Sequence, residues 1–85
     1  MFVSLEALRS VSKKTIGTKQ TMKAVQAGIA DIVYLAEDAE QHVLEGLLTL
    51  TQEKNIKVVW VKSMDELGAA CGIDVGSASA SIIKE

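Results

Sequence analysis

The chain has 85 residues, of which 48% are hydrophobic and 4% aromatic, with no proline and a formal net charge of −2. This length predicts one small domain over residues 1–85 with an aliphatic core, and it excludes a second core of comparable size. The apolar content excludes a disordered chain, and the acidic balance excludes a protein that coats nucleic acid through overall positive charge.

The charge is unevenly distributed along the chain. Residues 1–30 carry five basic residues against Glu6, a net charge of +4, whereas residues 31–85 carry four lysines against ten acidic residues, a net charge of −6. This separation predicts a localised surface that attracts a polyanion, on a body that otherwise repels one.

The sequence contains no signal for membrane insertion or secretion. No apolar run approaches the ~18 residues that a membrane span needs, and the first residues lack the apolar segment of a signal peptide. The lone Cys71 excludes an internal disulfide. We therefore expect a cytoplasmic protein with no membrane segment.

Apolar spacing predicts helices that alternate with strands. Phe2, Leu5 and Leu8 recur at a helical spacing, whereas the β-branched runs 31–36 and 57–61 are typical of buried strands. Alternation of this kind predicts an α/β sandwich with helices on both faces of a mixed sheet. In chain order the predicted elements are a short helix at 2–8, a strand at 15–16, a helix at 18–28, a strand at 31–36, a helix at 37–53 with Asn55 as its stop, a strand at 57–61, a helix at 64–71 that ends at Gly72 and a strand at 78–83.

Turn and capping residues mark several of these boundaries. Gly17 can turn the chain, Thr18 is a suitable N-cap for the central helix, and Gly28 occupies the place of a left-handed residue after it. The pair at 37–38 caps or begins the next helix, and the segment at 63–66 has the form of a capping box.

The helix predicted at 18–28 is the candidate binding element. Its first N–H groups have no partner within the helix and its dipole is positive there, so this end attracts an anion such as phosphate. Lys19 and Lys23 lie one turn apart near this end, and the Gln20 amide could read the edge of a base. An ordinary surface helix with solvated lysines explains the same pattern, and residue chemistry alone favours that interpretation.

The sequence shows no catalytic or metal-binding pattern, so we predict a protein that is not an enzyme and has no cofactor. The segment at 17–19 lacks the upstream glycine and the following Ser or Thr of a phosphate-binding loop. His42 has no His or Cys at ligand spacing and is expected at the surface. Cys71 and Trp60 are expected in the core, since the first ends a helix and the second lies among valines of a strand.

Three segments of the chain form a distinctive ordered set: IGTKQTMKAVQAG at 16–28, LAED at 35–38 and LGAACGIDVG at 67–76. They resemble the kink-turn-binding ribosomal proteins, the L-seven-Ae and L-thirty-e group, and most closely its short bacterial members. The resemblance covers nearly the whole chain. It implies a three-layer α/β/α sandwich with a small mixed central sheet. It also implies a ribosome-associated protein that stabilises the tandem sheared G·A pairs of a kink-turn in ribosomal RNA or a riboswitch. A monomer is the default expectation for its oligomeric state.

The resemblance also implies the residues that contact RNA. The family motif Gly-Thr-Asn-Glu-x-x-Lys aligns with Gly17, Thr18, Lys19, Gln20 and Lys23. The lysine and the glutamine replace an asparagine and a glutamate, yet both retain groups that can pair with a guanine edge. An alanine stands where the family often has an arginine one turn later, and the usual proline after the Glu-Asp pair is absent. The implied set also includes Glu37, Ile73, Asp74, Val75, Lys13 and Lys14.

Two parts of this set have alternative interpretations. An apolar pair in the loop 73–75 could cover an unstacked base, but a plain helix-to-strand turn with Val75 buried would have the same sequence. Lys13 and Lys14 could position RNA through phosphates, whereas for at least one of them a solvated charge is the better interpretation. The alternative function is a protein-interaction module on the same fold that has lost RNA binding.

Overall fold

The computed structural model describes residues 5–84, and this part of the chain contains four helices and four strands. The predicted alternation of helices and strands is confirmed, although Phe2, assigned to the first helix, lies outside the described residues. The elements are α1 (Leu5–Ser10), β1 (Lys14–Ile16), α2 (Thr18–Gln26), β2 (Ala30–Ala36), α3 (Gln41–Glu53), β3 (Lys57–Val61), α4 (Met64–Cys71) and β4 (Ser79–Ile83).

The strands form one mixed sheet in the order β1-β4-β2-β3. β2 and β3 pair in parallel, and β4 lies between β1 and β2, antiparallel to both. Because β1, β2 and β3 point the same way, the residues that follow them meet the residues that precede β4 at one end of the sheet. We call this end, formed by Gly17, Glu37, Lys62 and the loop 72–78, the carboxyl end.

Helices cover both faces of the sheet, which confirms the predicted sandwich. Successive side chains of β2 alternate between the faces, as the pleat requires. Val33 and Leu35 pack toward α2 and α3, whereas Tyr34 and Ala36 pack toward α1 and α4. Leu47 is the fully buried anchor of the first layer and Leu67 of the second. Among residues 5–84, the hydrophobic core is aliphatic in both layers apart from Tyr34 and Cys71.

The capping signals at α4 and at the end of α2 are confirmed. The Ser63 side chain accepts a hydrogen bond from the Glu66 N–H at 3.1 Å, and Gly72 ends the helix with a left-handed φ of 83°. Gly28 has a φ of 74°, and Asn55, just past α3, has a φ of 56°. These residues depend on near neighbours in the chain, which is why the sequence reveals them.

Three expectations are wrong. Thr18 is the first residue of α2, and Gly17 takes the N-cap position. α3 begins at Gln41 and not at 37, because the residues after β2 form a turn. Trp60 is 46% exposed, since β3 is an edge strand and the helices do not cover its outer end. The valines around it predict a strand but not the position of that strand in the sheet.

Candidate functional site

The segments singled out in the sequence meet at the carboxyl end of the sheet. The Gly17 N–H donates to the Ser79 carbonyl at 2.9 Å, and the Glu37 N–H donates to the Val61 carbonyl at 2.8 Å. Neighbouring strands lie about 4.8 Å apart, so the ends of β1, β4 and β2 that connect to α2, the loop 72–78 and Glu37 lie within about 10 Å of one another.

Gly17 makes the sharp junction between β1 and α2. Its φ of 94° and ψ of 159° lie in a region that is essentially restricted to glycine. An added Cβ would meet no atom within 4 Å, so the backbone conformation, not the space, requires glycine here. The helix therefore begins without a side-chain cap. Its exposed first turn leaves room for close approach by another molecule's backbone.

Three polar side chains of α2 have no partner within the described part of the chain. The side chains of Lys19, Gln20 and Lys23 are exposed, and they form no hydrogen bond or ion pair with any residue between 5 and 84. The first turn of α2 contains no acidic residue. The positive end of the helix and its lysines are thus free to bind an anion.

The opposite side of α2 is fixed to the sheet by small hydroxyl side chains. Thr15 Oγ1 lies 2.9 Å from Thr21 Oγ1 and 2.5 Å from Ser81 Oγ, and Ser79 Oγ donates to Thr18 Oγ1 at 3.2 Å. Small residues on β4 let the helix approach closely, and these hydrogen bonds satisfy the hydroxyls that the approach buries. The start of α2 is consequently held in a fixed position.

The loop between α4 and β4 exposes an apolar side chain at the same end of the sheet as the start of α2. Gly72 turns the chain, Ile73 is half-buried against the core under α1 and α4, and Asp74 and Val75 are exposed. Val75 has 69% of its surface exposed, so the alternative in which it is buried is wrong.

Lys13 and Lys14 are not brought into this group. Lys13 precedes β1 at the opposite end of the strand from Gly17, where its carbonyl accepts from the Ile83 N–H at 3.0 Å. Lys14 Nζ donates to the carbonyl of Leu8 at 3.2 Å and is partly buried. A phosphate contact by either lysine stays a prediction.

The sequence pattern does not predict the roles of two residues at the carboxyl end. Lys62 is an exposed cation that follows β3, and only the sheet order reveals that it shares this end. Asp38 accepts the Met64 N–H at 2.8 Å through Oδ1, which ties the turn after β2 to the start of α4. This contact joins residues 26 positions apart and cannot be found from local spacing.

Other reactive side chains do not form a second site. Burial raises the pKa of the Cys71 thiol, an effect that the nearby charge of Lys14 partly opposes, so the thiol stays protonated near neutral pH. His42 lies at the surface as expected, with Nδ1 3.3 Å from Glu40 Oε2. Residues 5–84 hold no group of His, Cys, Asp or Glu arranged to bind a metal. Within the same residues no helix has the length and apolar character to cross a membrane.

The fold and the arrangement at its carboxyl end define a class of protein. Residues 3–85 match the model of the ribosomal protein L7Ae/L30e/S12e/Gadd45 family, and the chain belongs to that family. It is 48% identical over 68 residues to RNA-binding protein TTE2299 of Caldanaerobacter subterraneus subsp. tengcongensis, covering 80% of this chain and 83% of the relative. It is also 44% identical over 81 residues to the large ribosomal subunit protein eL8 of Halobacterium salinarum, covering 94% of this chain and 68% of that protein.

A solved structure has the same architecture. The 15.5kD RNA binding protein of Giardia lamblia superposes with a TM-score of 0.84 at 28% identity, over 95% of this chain and 68% of that one. These similarities confirm the predicted family and the sandwich fold. The relatives carry names of RNA-binding and ribosomal proteins, in agreement with the prediction that the chain is not an enzyme.

Proposed function

We propose that this chain binds structured RNA at the carboxyl end of its sheet and recognises a kink-turn, as a ribosome-associated cytoplasmic monomer. The observation that carries the proposal is the uncapped, unpaired start of α2 at the same end of the sheet as an exposed apolar loop. The names of the relatives support RNA as the class of partner.

In the proposed complex, each part of the site has a distinct task. The Cβ-free surface of Gly17 and the start of the helix at Thr18 admit the RNA backbone closely. Lys19 and Gln20 pair with purine edges at the sheared G·A pairs, because a lysine donates to guanine O6 or N7 and an amide both donates and accepts. Lys23, one turn further along the same face, contacts a phosphate.

The loop 73–75 would cover a base that the bend expels from the stack. Val75 offers an exposed apolar surface for such a base, Ile73 supports it from the core side, and Asp74 and Glu37 add acceptors at the rim. A closed A-form duplex offers no unstacked base and a major groove too narrow for side chains. The site therefore suits a bent RNA better than a regular helix.

The charge around the site limits where RNA can lie. Acidic side chains at 37–38, 65–66 and 74 surround the β2 and α4 side of the carboxyl end. Phosphates would be repelled there and attracted toward α2, so the proposed RNA follows the α2 side of the sheet.

A titration tests the proposal directly. The protein is added to an RNA kink-turn labelled at both ends with fluorophores, to the same RNA with Watson–Crick pairs in place of its G·A pairs, and to a duplex of matched length. Each titration is made at two salt concentrations, because phosphate contacts alone give steep, sequence-blind salt dependence.

We expect tight binding and increased energy transfer between the ends only for the intact kink-turn. Equal, weak and salt-sensitive binding to all three RNAs would contradict the proposal. That result would leave a basic patch on the family fold and would favour the protein-interaction alternative.

A further inference from the structure

The first residue of α4 connects the two segments that flank the site. The Met64 N–H donates to Asp38 Oδ1 at 2.8 Å, and the Met64 carbonyl accepts from the Ser77 N–H at 3.0 Å. The turn after β2 and the loop before β4 are therefore held by opposite ends of one residue. Glu37 lies next to the first of these contacts, and Val75 lies two residues from the second.

The loop also crosses α4 at a residue with no side chain. A Cβ on Gly68 would lie 2.0 Å from the Val75 carbonyl oxygen and 3.1 Å from Gly76 Cα. The Ile73 N–H donates to the Gly68 carbonyl at 3.1 Å, which fixes the near end of the loop to the same residue. Carbon–oxygen contacts normally begin at about 3.3 Å, so any larger residue would displace the Val75 carbonyl by about 1 Å.

Gly76 makes the matching contact from the loop. A Cβ at this position would lie 3.1 Å from Met64 Cβ, and the neighbouring atoms include the Met64 backbone. The loop thus lies against α4 through two glycines and two main-chain hydrogen bonds. This close packing of the loop on α4 therefore determines where Val75 is presented.

We propose that Gly68 and Asp38 are positioning residues for RNA recognition. Gly68 sets the distance of the loop from α4, and Asp38 sets the position of α4 relative to the turn that carries Glu37. Neither residue contacts RNA in the proposed complex. A loop held in its bound conformation loses less conformational freedom on binding, so loosening either contact weakens recognition without removing a contacting side chain. The effect on RNA binding rests on the proposed function, whereas the effect on the loop does not.

The test of Gly68 uses a matched glycine as its control. Gly46 lies in α3, and a Cβ there would make an ordinary contact of 3.7 Å with Met22 Cε. Gly68→Ala and Gly46→Ala both place alanine in a helix interior, so the gain in helix propensity is shared. We expect Gly46→Ala to bind the kink-turn like the unmodified protein. We expect Gly68→Ala to bind it about tenfold more weakly, as when one packed interface side chain is displaced, with unchanged binding to the plain duplex.

The test of Asp38 does not depend on whether Gly68→Ala folds. Asp38→Ala removes the acceptor for the Met64 N–H, whereas Asp38→Asn keeps an oxygen at the same place. We expect the alanine variant to lose kink-turn affinity and the asparagine variant to retain it. Equal losses in both would show that the carboxylate acts through its charge and would overturn the positioning role.

Hydrogen exchange in the RNA-free protein separates the effect on the loop from the effect on RNA binding. The Ser77 amide should exchange slowly in the unmodified protein, Gly46→Ala and Asp38→Asn, and faster in Gly68→Ala and Asp38→Ala. Unchanged Ser77 exchange and unchanged kink-turn affinity in both of the last two variants would overturn the inference. Faster Ser77 exchange in these two variants, together with an unmodified protein that does not bind the kink-turn, would instead overturn the proposed function and leave the loop contacts established.

Discussion

Helices α2 and α4 both begin at the carboxyl end of the sheet, on opposite faces, but their first turns differ in almost every respect. α4 begins after Ser63, whose hydroxyl caps the Glu66 N–H, and Asp38 takes the N–H of Met64. Asp65 adds a second acidic residue to its first turn. α2 begins after a glycine, has no side-chain cap, and carries Lys19 in a first turn without acidic residues.

The difference shows which helix serves the fold and which is left open to a partner. Capping and acidic residues stabilise a helix start by satisfying its N–H groups and opposing its positive dipole. α4 has both a side-chain cap and acidic residues in its first turn, and all of these groups belong to the chain itself. α2 has neither a side-chain cap nor an acidic residue in its first turn, and it places the cation of Lys19 at the positive end of the helix dipole. An anion bound at this end would offset that unfavourable charge.

The largest expected effect concerns the side chains of α2 in the proposed RNA interface. Lys19→Ala and Gln20→Ala should each weaken kink-turn binding by about 1–3 kcal/mol, because each removes a contact to a base edge. The fold should be retained, since both side chains are exposed and unpaired. Fluorescence titration with the intact and the base-paired RNA measures the loss.

A matched pair at the end of α3 controls for nonspecific effects in this titration. Gln52 and Lys54 are an exposed amide and an exposed cation away from the carboxyl end. Replacing both with alanine should leave kink-turn affinity nearly unchanged. Full affinity in the Lys19 and Gln20 double variant would remove α2 from the interface.

The next effect concerns the junction that leaves α2 uncapped. Gly17→Ala should lower the free energy of unfolding by about 1–3 kcal/mol, although its Cβ meets no atom, because the backbone conformation there is strained for any other residue. Urea unfolding measures the change. Gly28→Asn should cost less, since asparagine tolerates the ordinary left-handed φ of 74° at that position. An unchanged midpoint for Gly17→Ala would mean that the junction adopts an ordinary backbone conformation.

Removal of the side-chain cap of α4 should also destabilise the protein, but by less. Ser63→Ala should lower the free energy of unfolding by about 1 kcal/mol, because the Glu66 N–H loses its acceptor. Ser12→Ala is the matched control, since Ser12 is exposed and makes no hydrogen bond within residues 5–84. Equal stability of the two variants would show that the cap contributes nothing and would weaken the contrast between the helices.

The capping contrast is also where prediction from sequence worked best and where it stopped. Ser63 and Gly72 were predictable because their roles depend on residues within one turn. The exposure of Trp60 was not, because it depends on β3 being an edge strand, which is a property of the whole sheet. Local pattern identifies an element, but the burial of its faces depends on the neighbours that the fold supplies.

The same limit applies to the site. Motif order indicated Gly17, the lysines of α2 and the loop 73–75, and the sheet brings these segments together. The roles of Asp38 and Gly68 could not be predicted, because their partners lie in other elements or across a loop. Lys14 shows the converse, since it lies near Gly17 in sequence yet its side chain turns to the carbonyl of Leu8.

The smallest predicted effect makes the sharpest distinction between the two helices. Lys19→Ala should raise the free energy of unfolding by about 0.3–1 kcal/mol, whereas Asp65→Ala should lower it by a similar amount, because the two charges lie at equivalent positive helix ends with opposite signs. Urea unfolding at low and high salt measures both, and salt should shrink both changes. If Lys19→Ala instead lowered the free energy of unfolding, Lys19 would have a stabilising role in the free protein. Higher stability with weaker RNA binding, from one substitution, would instead show that Lys19 is retained for its partner at the expense of the free protein.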